Sequence, residues 1–213
     1  MTIDSMPSPC TPGIDRETGA PTPSLRQRMA TLEVEHIYRK LTKTRYVYIG
    51  VSDSCDLAIF SAKALTKGHV IVEDDDGDYN DGWVTEAQVR AMSLSLSVQR
   101  FQIDENRYLL PHGSIDDLIN HSCDPNSGIR LTSRGYRLLA LRDICAGEEL
   151  TYDYSTYISN PRERLECRCG SVKCRRDIGP FRELPLQVRA FYLAHDVVGA
   201  FAVADASLPV NRR

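Results

Sequence analysis

Three cysteines, Cys167, Cys169 and Cys174, stand within eight residues in a C-x-C-x4-C spacing. No other feature limits the fold of this chain as strongly. Thiolates hold zinc tetrahedrally, and one tight loop supplies several of them at low entropic cost. Gly170 suits such a loop, and Arg168, Lys173 and Arg175 offset the thiolate charge. Three ligands leave a structural site one short. Because 160–179 contains no histidine, a metal here requires a fourth residue brought in from elsewhere. The alternative is three unrelated thiols on a surface loop. The remaining cysteines, Cys10, Cys55, Cys123 and Cys145, are scattered, and the odd total of seven does not make a disulfide framework. The first basic residue is Arg16, with no apolar stretch before it, so no secretory signal is read and reduced thiols are expected.

The rest of the chain reads as a mainly β protein of the β-rich α+β class, with a helix at each end. Residues 1–24 hold five of the eleven prolines and few large apolar groups, which predicts a disordered tail. Ser24 and Gln27 have capping-box spacing ahead of Leu25, Met29 and Leu32, which predicts a helix within 25–44. From 45 onward short apolar runs alternate with turn formers such as Gly68, Asp76-Gly77, Asp124-Pro125-Asn126 and Gly147. Strands are expected over 46–51, 58–60, 69–72, 93–98, 100–103, 107–110, 128–131, 136–141 and 150–154. Pro185 followed by Val188, Phe191, Tyr192 and His195 predicts a short C-terminal helix and tail within 181–213. A net charge of −3 removes the usual electrostatic case for a nucleic-acid binder. No apolar run approaches the roughly 20 residues that span a bilayer. No membrane partner is expected.

Two further segments stand out. Asn120-His121-Ser122-Cys123-Asp124-Pro125-Asn126 packs polar groups directly after the apolar Leu118-Ile119, and such groups must be hydrogen-bonded if buried. Taken alone it reads as an Asx/Pro turn at a strand boundary. Downstream lies Gly147-Glu148-Glu149-Leu150-Thr151-Tyr152-Asp153-Tyr154. If 150–154 is extended, Tyr152 and Tyr154 share one face and Asp153 the other. Two phenols on one face can line a cation site, although tyrosines are also common strand residues.

In this order the three segments resemble the SET-domain lysine methyltransferases: NHSCxPN, then GEELxYDY, then a post-SET C-x-C-x4-C. Phe60-Ser61-Ala62 through Gly68 to Val70-Ile71 is similar to the family's early segment, so the resemblance covers roughly 55–176. It implies a fold of small curved sheets with a pseudoknot, in which the NHSC strand passes under the GEEL loop. The SET domain is expected over 45–158, and a post-SET zinc segment over 159–180. Cys123 is implied as fourth ligand beside Cys167, Cys169 and Cys174, making a structural zinc site. The implied activity moves a methyl group from S-adenosylmethionine to a lysine ε-amine of a histone or other basic protein. Tyr154 corresponds to the family's catalytic tyrosine, expected to orient and support rather than to abstract a proton, since a free phenol has a pKa of about 10. Tyr152 sits at the family's Phe/Tyr switch, which implies monomethylation. Asn120 and His121 match cofactor contacts, as do Ala58 and Phe60 on the early segment. Asn126 and Glu149 are expected to secure the knot, and Tyr108 and Tyr157 to pack.

Two departures stand against the pattern. Asp56-Leu57-Ala58 replaces a Gly-x-Gly whose backbone approaches the cofactor, and Asp56 is strained if that position needs a positive φ. Six of the nine residues from Glu73 to Asp81 are acidic, which reads as a solvated loop or as a rim attracting a basic peptide. Two other readings therefore remain: a non-catalytic module that binds partners, or a methyltransferase for a non-histone protein or small amine. A nuclear or cytoplasmic location is expected.

Overall fold

The computed structural model describes residues 45–52, 57–74, 83–91, 100–110 and 115–206. The predicted N-terminal tail and helix, and the strand expected at 93–98, lie outside them. Within them the chain forms five small sheets and a few short helices.

Strand β1 (Val47–Val51) pairs antiparallel with β2 (Leu57–Ser61). Leu57 and Ile59 face the core, and Phe60 lies on the opposite side over Gly50 and stacked on Tyr48. A Cβ on Gly50 would stand 2.6 Å from the Phe60 ring, so the close crossing needs a residue without a side chain. Strand β3 (Val70–Asp74) is the edge of a three-stranded sheet with β8 (Ser127–Leu131) and β9 (Tyr136–Ala140), in the order β3–β9–β8. A third sheet joins β4 (Trp83–Thr85), β6 (Arg107–Leu109) and β5 (Phe101–Gln102), with helix α1 (Glu86–Ala91) following β4. Ile59, Ile129, Tyr136, Leu138 and Leu150, all essentially inaccessible, form the centre where these layers meet.

The polar segment after Ile119 is buried in the middle of this assembly. Strand β7 (Asn120–His121) pairs in parallel with β10 (Thr151–Tyr152), and the chain returns past Asn126. Asn126 is 2% exposed. Its Nδ2 donates to Glu148 Oε1 (3.0 Å) and the Glu149 carbonyl (2.7 Å), while its Oδ1 accepts from Thr151 N (3.0 Å). On the far side of the same segment Leu150 N donates to the Ile59 carbonyl (2.8 Å) and Ser61 N to the Glu148 carbonyl (2.9 Å). Residues 148–151 are thus clamped between β2 and the NHSC segment, the crossing that the SET resemblance implies.

The strand expected over 150–154 stops early. It ends at Tyr152, and Asp153 (φ −87°, ψ 109°) caps a 3-10 turn, Tyr154–Tyr157, by accepting from Ser155 N at 3.1 Å. A short carboxylate that can bond the backbone two residues on favours such a turn over continued pairing. The C-terminal region holds α2 (Leu186–Ala194) and also a second helix not read from the sequence, α3 (Ala200–Ala206). Asp196 at φ 54° separates them. The apolar run from Val197 packs inward: Val197 meets Gly128 of β8, and Phe201 approaches Tyr157. No helix among the described residues is long and apolar enough to cross a membrane.

Replacing Asn126 by alanine leaves the Thr151 N–H and the Glu149 carbonyl buried without these bonds. A loss of about 2–5 kcal/mol is expected, measured by urea unfolding of the two proteins.

Candidate active site and thiol cluster

Two residues of parallel pairing bring four predicted site residues together. Asn120 and His121 on β7 lie opposite Thr151 and Tyr152 on β10, and the turn at Asp153 folds Tyr154 back so that the two tyrosine rings stand 4.8 Å apart. The expected shared face is realised by this turn rather than by a continued strand. Asp153, expected on the opposite face of an extended strand, instead caps the turn and accepts from Arg175 and Tyr192. Tyr154 donates its hydroxyl to the Ile119 carbonyl (2.9 Å), and its ring meets the His121 ring edge-on at 5.3 Å. With the hydroxyl proton committed to Ile119, the phenol oxygen can act as an acceptor. Burial, reinforced by Tyr154 and Asp116, pushes the Tyr152 phenol well above its ordinary value, so it remains a neutral donor.

Asn120 Nδ2 donates to the Leu57 carbonyl (3.2 Å) and to Glu149 Oε1 (2.9 Å), while Ser52 donates to Glu149 Oε2 (2.7 Å). These bonds draw the start of β2 at Leu57 to the NHSC segment and turn the Asn120 side-chain oxygen away from both acceptors. Ala58 is fully buried opposite Gly50 in extended β2, with no left-handed φ, so position 58 does not demand glycine. Asp56 lies outside the described residues. Phe60 is also buried, with its ring against Tyr48. Tyr108 and Tyr157 are buried packing residues, and Tyr157 donates to the Ile129 carbonyl (2.8 Å).

The second cluster is built by the hairpin of β11 (Leu165–Glu166) and β12 (Asp177–Ile178), which brackets the cysteine loop. Cys123, from the far side of the knot, reaches it: Cys123 Sγ is 3.6 Å from Cys167 Sγ, and Cys174 Sγ is 3.6 Å from Cys167 Sγ. A tetrahedron with metal–sulfur bonds of about 2.3 Å has edges of about 3.8 Å, so these spacings fit a thiolate metal site. Burial pushes the Cys123 and Cys167 thiols up. For Cys169 burial is outweighed by the Cys123 and Ser171 backbone N–H groups, which with the Cys167 and Cys174 thiols bring it down to about 7. Such N–H donors favour the thiolate that a metal requires.

His121 also touches this cluster. His121, Cys123, Cys167 and Cys169 place donor atoms within 4.8 Å of one another, so the ring is a fifth candidate ligand. Its hydrogen bonds assign it a different part. Tyr154 N donates to Nδ1 (3.1 Å), which places the ring proton on Nε2, and Nε2 lies 3.3 Å from Cys123 Sγ. Burial lowers the imidazole pKa to about 4, against the pull of the Asp153 carboxylate 3.6 Å away, so the ring is neutral at pH 7. His121 thus donates to the Cys123 sulfur, while Cys174, 3.6 Å from Cys167 Sγ, stands outside that group of four. Nitrogen-15 NMR at pH 7 should find His121 protonated on Nε2 with and without added zinc; metallation of Nε2 would reverse that assignment.

The sequence did not reveal what holds Asp153. Its carboxylate, 1% exposed, accepts from Arg175 (2.7 Å) beside the cysteine loop and from the Tyr192 hydroxyl (3.0 Å) on α2. The signal available was an acidic residue between two tyrosines, with arginine beside the last cysteine.

Residues 56–155 match the SET domain family model. The chain is 32% identical over 148 residues to the histone-lysine N-methyltransferase trithorax of Drosophila virilis, covering 65% of this chain and 4% of that protein. It is 43% identical over 82 residues to the H3 lysine-4 specific histone-lysine N-methyltransferase of Saccharomyces cerevisiae, covering 35% and 8%. Over 69 residues it is 44% identical to human histone-lysine N-methyltransferase 2B, covering 30% and 2%. The chain therefore spans only a small part of these relatives. With the knot, the paired tyrosines and the thiol cluster in place, this region is a SET domain, related to those of the histone-lysine methyltransferases.

Proposed function

We propose that this chain transfers methyl groups from S-adenosylmethionine to the ε-amine of a lysine in a histone or other basic protein, in the nucleus. The observation that carries the reading is the parallel pairing of Asn120–His121 with Thr151–Tyr152, which gathers a polar cofactor-type edge and two adjacent phenols at one spot. S-adenosylmethionine supplies an electrophilic methyl group. The Asn120 side-chain oxygen, oriented by the bonds of Nδ2, suits an ammonium group on the cofactor. His121 lies beside it, and Ala58 and Phe60 form the strand behind. The Tyr152 and Tyr154 rings exclude water from an incoming lysine side chain and favour its neutral amine. The Tyr154 oxygen, its proton held by Ile119, accepts from that amine and aligns it for in-line attack. A neutral Tyr152 hydroxyl beside it crowds further methylation. Cys123, Cys167, Cys169 and Cys174 hold a structural zinc within the 159–180 segment and tie it to the SET domain of 45–158. Acidic residues from Glu73 onward attract a basic segment, although Glu73 itself pairs with Arg137 and most of this stretch lies outside the described residues.

Calorimetry on zinc-loaded protein should show one S-adenosylmethionine per chain in the micromolar range. Absence of binding by folded protein would favour a partner-binding module, the reading that the Asp56-Leu57-Ala58 departure supports. Tyr154→Phe should retain cofactor binding and lose at least about 100-fold in transfer. Mass spectrometry of the product should show mainly monomethyl-lysine, shifting toward higher states in Tyr152→Phe. Metal analysis should find one zinc per chain, lost in Cys123→Ser with loss of folding stability.

A further inference from the structure

We infer that Tyr192, on the C-terminal helix α2, is a positioning residue for the methyl-transfer site, acting through Asp153 on the Tyr152–Tyr154 pair. The inference rests on the function proposed above. Asp153 joins the two tyrosines in sequence and caps the turn that begins at Tyr154. The turn it caps sets the direction in which Tyr154 leaves β10. That turn holds only if the carboxylate keeps one orientation, and the terminal torsion of an aspartate is intrinsically broad.

The carboxylate is held from both oxygens. Oδ1 accepts from Ser155 N (3.1 Å) and from Arg175 Nη2 (2.7 Å), and the same guanidinium lies 3.3 Å from Ser155 Oγ. Arg175 is in turn tied to the thiol cluster, since its backbone N–H donates to Cys123 Sγ at 3.3 Å. Oδ2 accepts from Tyr192 at 3.0 Å. Among the described residues, Tyr192 is the group that reaches this second oxygen. Its ring is 2% exposed and belongs to the main apolar core, where phenylalanine would serve for packing. The hydroxyl has a partner only because α2 delivers it to a buried charge that would otherwise rotate. Helix α2 is held for this task at its far end: Arg130 of β8 donates to the His195 and Asp196 carbonyls (2.9 and 3.0 Å), and Val197 seats against Gly128. Helix α2 therefore backs the turn at Asp153.

The test compares the full chain with Tyr192→Phe, using two readouts that separate this inference from the function beneath it. Amide hydrogen exchange needs no substrate. Tyr154 and Ser155 should exchange roughly tenfold faster in the variant, while Cys167, whose N–H bonds the Arg176 carbonyl at 3.0 Å, should not change. Unchanged exchange at Tyr154 and Ser155, or faster exchange throughout the protein, overturns the coupling. Transfer kinetics on purified core histones with S-adenosylmethionine should show kcat lowered roughly tenfold, with both KM values within about twofold of wild type. Equal kcat, or a loss confined to KM, overturns the positioning role. A wild type that methylates nothing overturns the functional reading instead, and exchange then decides the coupling alone. If Tyr192→Phe does not fold, the unmodified protein provides the check: the Tyr192 hydroxyl proton should be protected from solvent exchange by NMR, and free exchange overturns the inference.

Discussion

Two residues of parallel β-pairing, Asn120–His121 against Thr151–Tyr152, carry the rest of this molecule. So short a ladder contributes too few backbone bonds to persist alone. It survives because side chains finish what the backbone begins. Asn126 behaves as a surrogate strand, donating twice and accepting once along Glu148–Thr151, and Ser127 Oγ adds a bond to the Thr151 carbonyl at 2.8 Å. Buried amides without partners cost far more than a net hydrogen bond contributes, so satisfying this crossing completely is a condition of folding.

The same crossing places polar groups where chemistry needs them. On one side Asn120 bonds the Leu57 carbonyl of β2; on the other, Asp153 turns the chain and sends Tyr154 back beside Tyr152. His121 and Arg175 link that turn to Cys123, one through its imidazole and the other through its backbone amide and guanidinium. The thiol cluster and the tyrosine pair are thus parts of one hydrogen-bonded unit. Order in the cysteine loop reaches the tyrosines through discrete contacts, with no need for a large interface.

The neutral state of His121 has the same origin. Burial outweighs the nearby carboxylate, and that carboxylate is already satisfied by Arg175 and Tyr192. A protonated ring would place a second cation beside Arg175, whose guanidinium already pairs with that carboxylate. The charge pattern therefore favours a single carboxylate–guanidinium pair, with imidazole as a donor to sulfur.

Much of this was legible in the sequence. C-x-C-x4-C marks a loop able to gather three thiols that, for a metal site, lacks a ligand. The NHSC and YDY segments and their order carry the family, and short apolar runs between turn formers placed several strands close to where they lie. Local patterning failed at Asp153, where a side-chain cap ended a strand that Tyr152 and Tyr154 would have continued, and at α3, whose apolar run packs beside Phe181–Glu183 and Tyr157. What only the tertiary structure decided is the identity of long-range partners. Arg175 and Tyr192 approach Asp153 from 22 and 39 positions away. His121 was assigned to sulfur by the amide of Tyr154, 33 positions on. Spacing reveals which groups can bond within one turn or strand; the closing of distant segments around a buried charge depends on the packing of the whole core.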